Sequence, residues 1–218
     1  DLRMSRGLGD VYKRQLERFT VMRQWFAFKG LAVLLLLGLL AACAQSPQIL
    51  SVSPKVSGGF PHTGNGQSVS LEVDDGRDSS VIGTRSGSPS ATSTITVEAN
   101  DVIPKIRVQA ENALRSMGFN PTSSNAGGPS LTLTLTGLAY ARGTAEQPLL
   151  DASQLQAIIQ AEVVNGGNTY TGRYTAKRSQ SYAVKPDWDT NNRMVSELLD
   201  NALDRTFRDQ QLANLLAR

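Results

Sequence analysis

Few side chains in this 218-residue chain have chemical reach beyond ordinary surface charge. There is one histidine, His62, one cysteine, Cys43, and one dense charge group, Asp74-Asp75-Gly76-Arg77-Asp78. A histidine works as a general base when a third group holds it beside a nucleophile. His62 stands next to Pro61 in a stretch rich in Gly, Ser and Pro, which reads as a linker with no such frame. Structural or catalytic zinc needs nitrogen and sulfur ligands in numbers this chain lacks. Three carboxylates near Gly76 suggest calcium, but the twelve-residue loop ending in glutamate is missing, and Asp with Gly is ordinary turn chemistry. Gly58-Gly59 and Gly64-Asn65-Gly66 invite a phosphate loop, yet no strand leads into them and no helix opens after them. The expectation is no catalytic residue, no metal and no cofactor. Asp75, Arg77 and Asp78 are expected to contact a partner, because charged loop residues often carry binding.

Cys43 closes an apolar run. From Leu31 to Ala42 the chain is apolar apart from Gly38, with Arg23 and Lys29 ahead of it and polar, Pro-containing sequence after it. A spanning helix needs about 20 apolar residues, whereas a run of roughly 10 to 14 suits the core of a signal peptide. The basic start, short apolar core and small residues at its end form a secretory signal, with cleavage expected at Ala42. Leu40-Ala41-Ala42-Cys43 resembles the bacterial lipobox, in which the cysteine sulfur takes a diacylglyceryl group, the signal is cut before it and the new amino end is acylated. The resemblance implies lipidation at Cys43. Each buried methylene contributes about 0.8 kcal/mol, so several chains make a stable membrane anchor where one would not. Ala44 comes next in place of the aspartate associated with inner-membrane retention, which implies the outer membrane. Residues 1–21, opening with "DLRMSRGLGDVYKRQ", are basic with no apolar period and read as a non-native leader before a natural start at Met22.

The formal charge of +3 comes from 22 basic and 19 acidic residues. Seven of the basic and three of the acidic residues precede Cys43, which leaves 15 and 16 after it. The processed chain is thus near neutral, without the Lys/Arg cluster that neutralises a row of phosphates, so nucleic acid is not expected as a partner. With no cysteine left to pair, the domain must be held by burial alone, which is feasible at this length.

Residues 43–67 read as the lipidated cysteine followed by a flexible tether, holding the domain on average about 25 Å from the anchor. Residues 68–218 are expected to form a single domain. "VSLEV" and "STITVEA" alternate at the period of a half-buried strand. A helix capped by Asn100 or Asp101 carries Ile103, Ile106, Ala110, Ala113, Leu114 and Met117 on one stripe, and Gly118 with Phe119 ends it. "LTLTLTGLAY" puts Leu131, Leu133 and Leu135 on one face and threonines on the other. Asn165-Gly166-Gly167-Asn168 is a hairpin turn. With Gly166 and Gly167 as its loop, Val163 faces Tyr170, Ala161 faces Gly172 and Gln160 faces Arg173, and both strands agree on which face is apolar. The last helical stripe runs from about Thr190 to Ala217, with Asp209 as a kink or as the cap of a short final helix. Together these predict an α+β two-layer sandwich: a mainly antiparallel sheet with two amphipathic helices packed on one face. The other face, with Thr132, Thr134, Gln160, Arg173 and Lys177, looks outward, and Arg173 is a candidate partner contact.

The lipobox, "SVSPKV", "VDDGRDSSVIGTR", a helix ending "SMGF", the "GG" hairpin and a last helix with "DQQLANLLA" resemble the YajG-like family of bacterial envelope lipoproteins. The resemblance implies an outer-membrane, periplasm-facing lipoprotein and carries no catalytic residue with it. The expected function is therefore a non-enzymatic domain that binds another envelope component, protein or glycan, in assembly or maintenance. The alternative is a small-molecule or lipid-binding module with its pocket between helices and sheet.

Overall fold

A computed structural model describes residues 46–85, 91–124, 126–142, 151–182 and 186–218. The strands are β1 (Gln48–Leu50), β2 (Ser68–Asp75), β3 (Val81–Thr84), β4 (Thr94–Val97), β5 (Asn120–Thr122), β6 (Ser130–Arg142), β7 (Asp151–Asn165) and β8 (Asn168–Tyr182). Three α-helices accompany them among the described residues: α1 (Ala99–Ser116), α2 (Trp188–Phe207) and α3 (Gln210–Leu216). All eight strands belong to one sheet, with the helices on its apolar face.

The sheet is mixed, where a mainly antiparallel one was expected. The β6–β7–β8 meander and the β3–β4 pair are antiparallel. β2 runs parallel to both β5 and β6, β3 runs parallel to β6, and β1 runs parallel to β4. Hairpins announce themselves through turn chemistry, whereas parallel neighbours are joined by long crossovers that leave only short apolar runs to read. β2 and β3 lie one after the other along the same edge of β6.

The hairpin has the expected register. Val163 pairs with Tyr170, Ala161 with Gly172, Ile159 with Tyr174 and Gln160 with Arg173. Gly166 and Gly167 both take positive φ, 57° and 79°, as the favoured two-residue loop requires. In β6, Leu131, Leu133 and Leu135 are buried, and a bulge at Thr136 resets the pleat so that Leu138 and Tyr140 turn inward after it. The helix side closes the core with Ile106, Leu114, Leu198, Leu199, Leu203 and Phe207.

α1 begins at Ala99 with Glu98 as its N-cap, slightly ahead of the expected Asn100 or Asp101. It ends as expected: Gly118 sits at φ 91°, Phe119 N–H donates to Leu114 O at 2.9 Å and Gly118 N–H to Arg115 O at 3.1 Å. These are the two bonds of a Schellman cap. The final stripe is two helices, with Asp209 as the N-cap of α3.

Residues 47–66 are no tether. The compact unit begins at Pro47, ahead of the boundary expected at residue 68. β1 pairs with β4, Val52 and Phe60 enter the core, and the Phe60 ring meets Phe207 with centroids 5.8 Å apart. Between them the chain runs along α2. Ser53 N–H donates to Ser196 Oγ at 3.0 Å, Lys55 N–H to Asp200 Oδ1 at 2.6 Å and Ser57 N–H to Asp204 Oδ1 at 2.9 Å. The acceptors are four residues apart, one face of a helix rising about 6 Å per step. The donors are two apart on an extended chain advancing a little over 6 Å per step. The two periods match, so a ladder of side chains takes the place of a neighbouring strand. Val56 N–H turns the other way, to Gln109 Oε1 of α1 at 3.1 Å, and the strap thus bonds both helices. Its Ser, Gly and Pro content suggested flexibility because such residues bury little. Here they expose the backbone amides that the helix receives.

Candidate functional site

Cys43 and Ala42 lie outside the described residues. Asp75 ends β2, and Gly76 N–H donates to Leu135 O, so the turn starts with the chain still bonded to β6. There Arg77 folds back on Asp75: Nε donates to Oδ1 at 2.8 Å and Nη2 to Oδ2 at 2.7 Å, a bidentate pair, and Nη2 also reaches Val97 O at 3.0 Å. The Arg77 side chain is only 3% exposed, so its fork is committed to joining β2 to β4. The same guanidinium holds the Asp75 carboxyl below the usual carboxylate range, against the opposing effect of burial. Asp78 is exposed at the following bend. The structure therefore brings Asp75 and Arg77 together and leaves Asp74 and Asp78 as the accessible charges of the group.

Arg173 is exposed on the face of the sheet away from the helices, opposite Gln160. That face is arranged in rows: Asp74, Thr134, Gln160 and Arg173 cross four strands in register, and Ala139, Gln156 and Lys177 form another row further along. Beside the second row a depression of about 290 Å³ opens among Ala139, Ala141, Gln154, Gln156, Lys177 and Ser179. His62 is held against the end of α1, with Nδ1 3.1 Å from Ser116 O. Among the described residues no group of His, Cys, Asp and Glu could hold a metal ion.

Two clusters escaped the sequence reading. Tyr170 and Tyr174 both donate their hydroxyls to Asp209 Oδ2, each at 2.6 Å, while Asp209 Oδ1 caps α3 through Gln211 N–H at 2.8 Å. Burial alone would raise the Asp209 pKa, but the phenol and amide donors outweigh it and the net shift is downward. Tyr174 is pushed well up by burial and by Asp209, and Tyr170 up by its bond to Asp209 and by burial. The ring of Tyr174 lies over Gly172, where a Cβ would fall 2.2 Å from its hydroxyl. Y-x-G-x-Y was a visible signal for this arrangement. The other cluster is the Ser196, Asp200, Asp204 ladder, visible as an i, i+4 series whose partner nothing in the sequence names.

A family model described as "Uncharacterized lipoprotein" matches residues 54–217. The chain belongs to this lipoprotein family. The match takes in most of the strap, which agrees with its place inside the domain. No curated protein matches this lipoprotein. Among solved structures it is similar to protein XCC0632 from Xanthomonas campestris, at 12% identity and TM-score 0.41 over 79% of this chain and 96% of that one. It is similar also to a putative neuraminyllactose-binding hemagglutinin homolog from Helicobacter pylori, at 7% identity and TM-score 0.46 over 78% and 96%. A third likeness is to lipoprotein GNA1162 from Neisseria meningitidis, at 12% and 0.26 over 64% and 99%. At such scores these likenesses carry no functional argument. No helix among the described residues of this lipoprotein is long and apolar enough to cross a membrane.

Proposed function

We propose that this lipoprotein is anchored by acyl chains on Cys43 in the outer membrane, facing the periplasm, and that its domain is a non-enzymatic module that binds another envelope component, protein or glycan. The observation that carries the binding role is the outward sheet face. It presents in-register rows of hydroxyl, amide and charged side chains with Arg173 and Lys177 along β8. Neither cation is buried, and both stand beside polar groups that can share a ligand's hydrogen bonds.

A photocrosslinking residue at position 173 or 177, in cells, should capture one discrete envelope component identifiable by mass spectrometry, while the same residue at Val108 on α1 should not. Equal, diffuse capture from all three positions would refute a binding face. For the anchor, labelled palmitate should enter the protein and be lost in Cys43→Ser, and the acylated protein should fractionate with the outer membrane. Label persisting on the variant would refute Cys43 as the acylation site.

The small-molecule reading would place a ligand between helices and sheet. That space is filled by Leu131, Ala161, Val163, Leu199 and Leu203, each fully buried. The depression beside Lys177 is on the opposite face and sits at the small end of the range for ligand pockets, roughly 300 Å³.

A further inference from the structure

We propose that the β1 corner of the sheet is a lipid-facing surface, with Ile49, Val81 and Trp188 lying against the membrane that holds the Cys43 acyl chains. The inference rests on the proposed acylation of Cys43.

Single exposed apolar side chains are ordinary, whereas contiguous ones mark contact surfaces. Ile49 is 65% exposed, Val81 45% and Trp188 40%. They surround one corner, Ile49 and Val81 on the outer sheet face and Trp188 at the start of α2. Thr96 of β4 pairs with Ile49 on one side and with Val81 on the other, so the two stand on one face about 10 Å apart across three strands. The indole of Trp188 is fastened beside them by Nε1–H donating to the Ile49 carbonyl at 2.7 Å. That bond satisfies the one polar atom of the indole and leaves the rest of the ring as apolar surface. The remaining large exposed apolar residues described, Val108 and Val164, lie on α1 and β7.

The length of chain between this patch and the anchor decides what covers it. With residues 47–66 docked, only Ala44, Gln45 and Ser46 separate Cys43 from the domain. Ile49 is six residues from Cys43, so even fully extended chain keeps it within roughly 20 Å of the acylated sulfur. A loosely tethered domain could turn any face to the lipid; one held this closely presents the corner where its chain enters. Tryptophan is the residue that favours the membrane–water boundary, and Ile49 and Val81 add aliphatic area beside it. Asp187 and Asp189 flank Trp188 in the chain, and the Arg85 guanidinium lies across the Gln48 amide from the Trp188 backbone, so charges of both signs border the patch. Apolar burial therefore supplies the attraction to the lipid surface. Three side chains bind lipid weakly alone, but the anchor supplies a high effective concentration.

Cleavage at Ala42 removes Trp25, which leaves Trp188 as the sole tryptophan of the processed chain and a built-in reporter. The full acylated protein is placed in phosphatidylethanolamine/phosphatidylcholine vesicles carrying lipids brominated near the head group or deep in the chain, after palmitate labelling has confirmed the anchor. Trp188 emission should shift to the blue and be quenched more by shallow than by deep bromine. Ile49→Ser with Val81→Ser, both on exposed positions, should lose most of the quenching while keeping the palmitate label and the far-UV spectrum. Label present with no quenching would overturn the inference and leave the anchor standing. Crosslinking of position 49 to a protein in place of lipid would do the same. Absence of label on Cys43 would overturn both.

Discussion

At the scale of single residues, the charges that looked most available are largely committed to the fold. Removing one partner of a poorly solvated pair strands the other, which costs about 3 kcal/mol or more. Asp75→Ala should therefore lower the unfolding free energy measured in urea markedly, whereas Asp78→Ala, at an exposed bend, should change it by less than about 0.5 kcal/mol. Asp75 has its pKa held down by Arg77. Its contribution is present above the unfolded value of about 3.9 and is lost as pH falls through the lower folded value. Acid unfolding of the wild type should thus be steeper than that of the Asp75→Asn variant. The tyrosines work in the opposite direction. Both phenols are raised, so their contribution is whole below the unfolded value of about 10 and declines as pH rises beyond it. Tyr170→Phe with Tyr174→Phe should flatten the alkaline limb of the stability curve, and Asp209→Ala should cost at least the roughly 1 kcal/mol of a helix cap. The density of charge at residues 74–78 was legible in the sequence. That Arg77 would spend its fork two residues back was not, because a turn and a binding loop share one composition until the third strand, β4, supplies Val97 O.

Elements with a local signature were the legible ones. The β7–β8 register followed from a two-glycine loop and the alternation of both strands, since a slip by one would have turned Val163 and Ile159 to water. Gly167→Val should destabilise the domain by about 1 kcal/mol or more, read by thermal melting, because a β-branched residue resists φ near 79°. Gly172→Ala should also destabilise, by displacing Tyr174 from Asp209. The strap was illegible for a physical reason: its order comes from amide donors, which every sequence has, and from acceptors nearly 150 residues away. Its test is amide exchange. Lys55 and Ser57 amides should exchange slowly in the wild type, and Asp204→Ala should speed Ser57 with little change in β7.

At the scale of the whole molecule, the two-layer division into helices and sheet was readable from amphipathic period alone, while the parallel half of the sheet was not, since β1, β4 and β5 are three or four residues long and pair with strands far along the chain. The expected lipoprotein family agrees with the family match over residues 54–217. The strap has a further consequence for how such a protein is made. A chain is synthesised amino end first, yet Ser53, Lys55 and Ser57 are received by Ser196, Asp200 and Asp204, among the last segments to appear. The ladder along α2 therefore forms only after the last helices have been made, although β1 and Val56 can already pair with β4 and α1. Docking of the strap reports that the chain has been made to its end, and a chain broken off before residue 188 leaves residues 53–57 without their acceptors. Such a fragment should be cut within residues 53–57 by a protease that spares the finished protein.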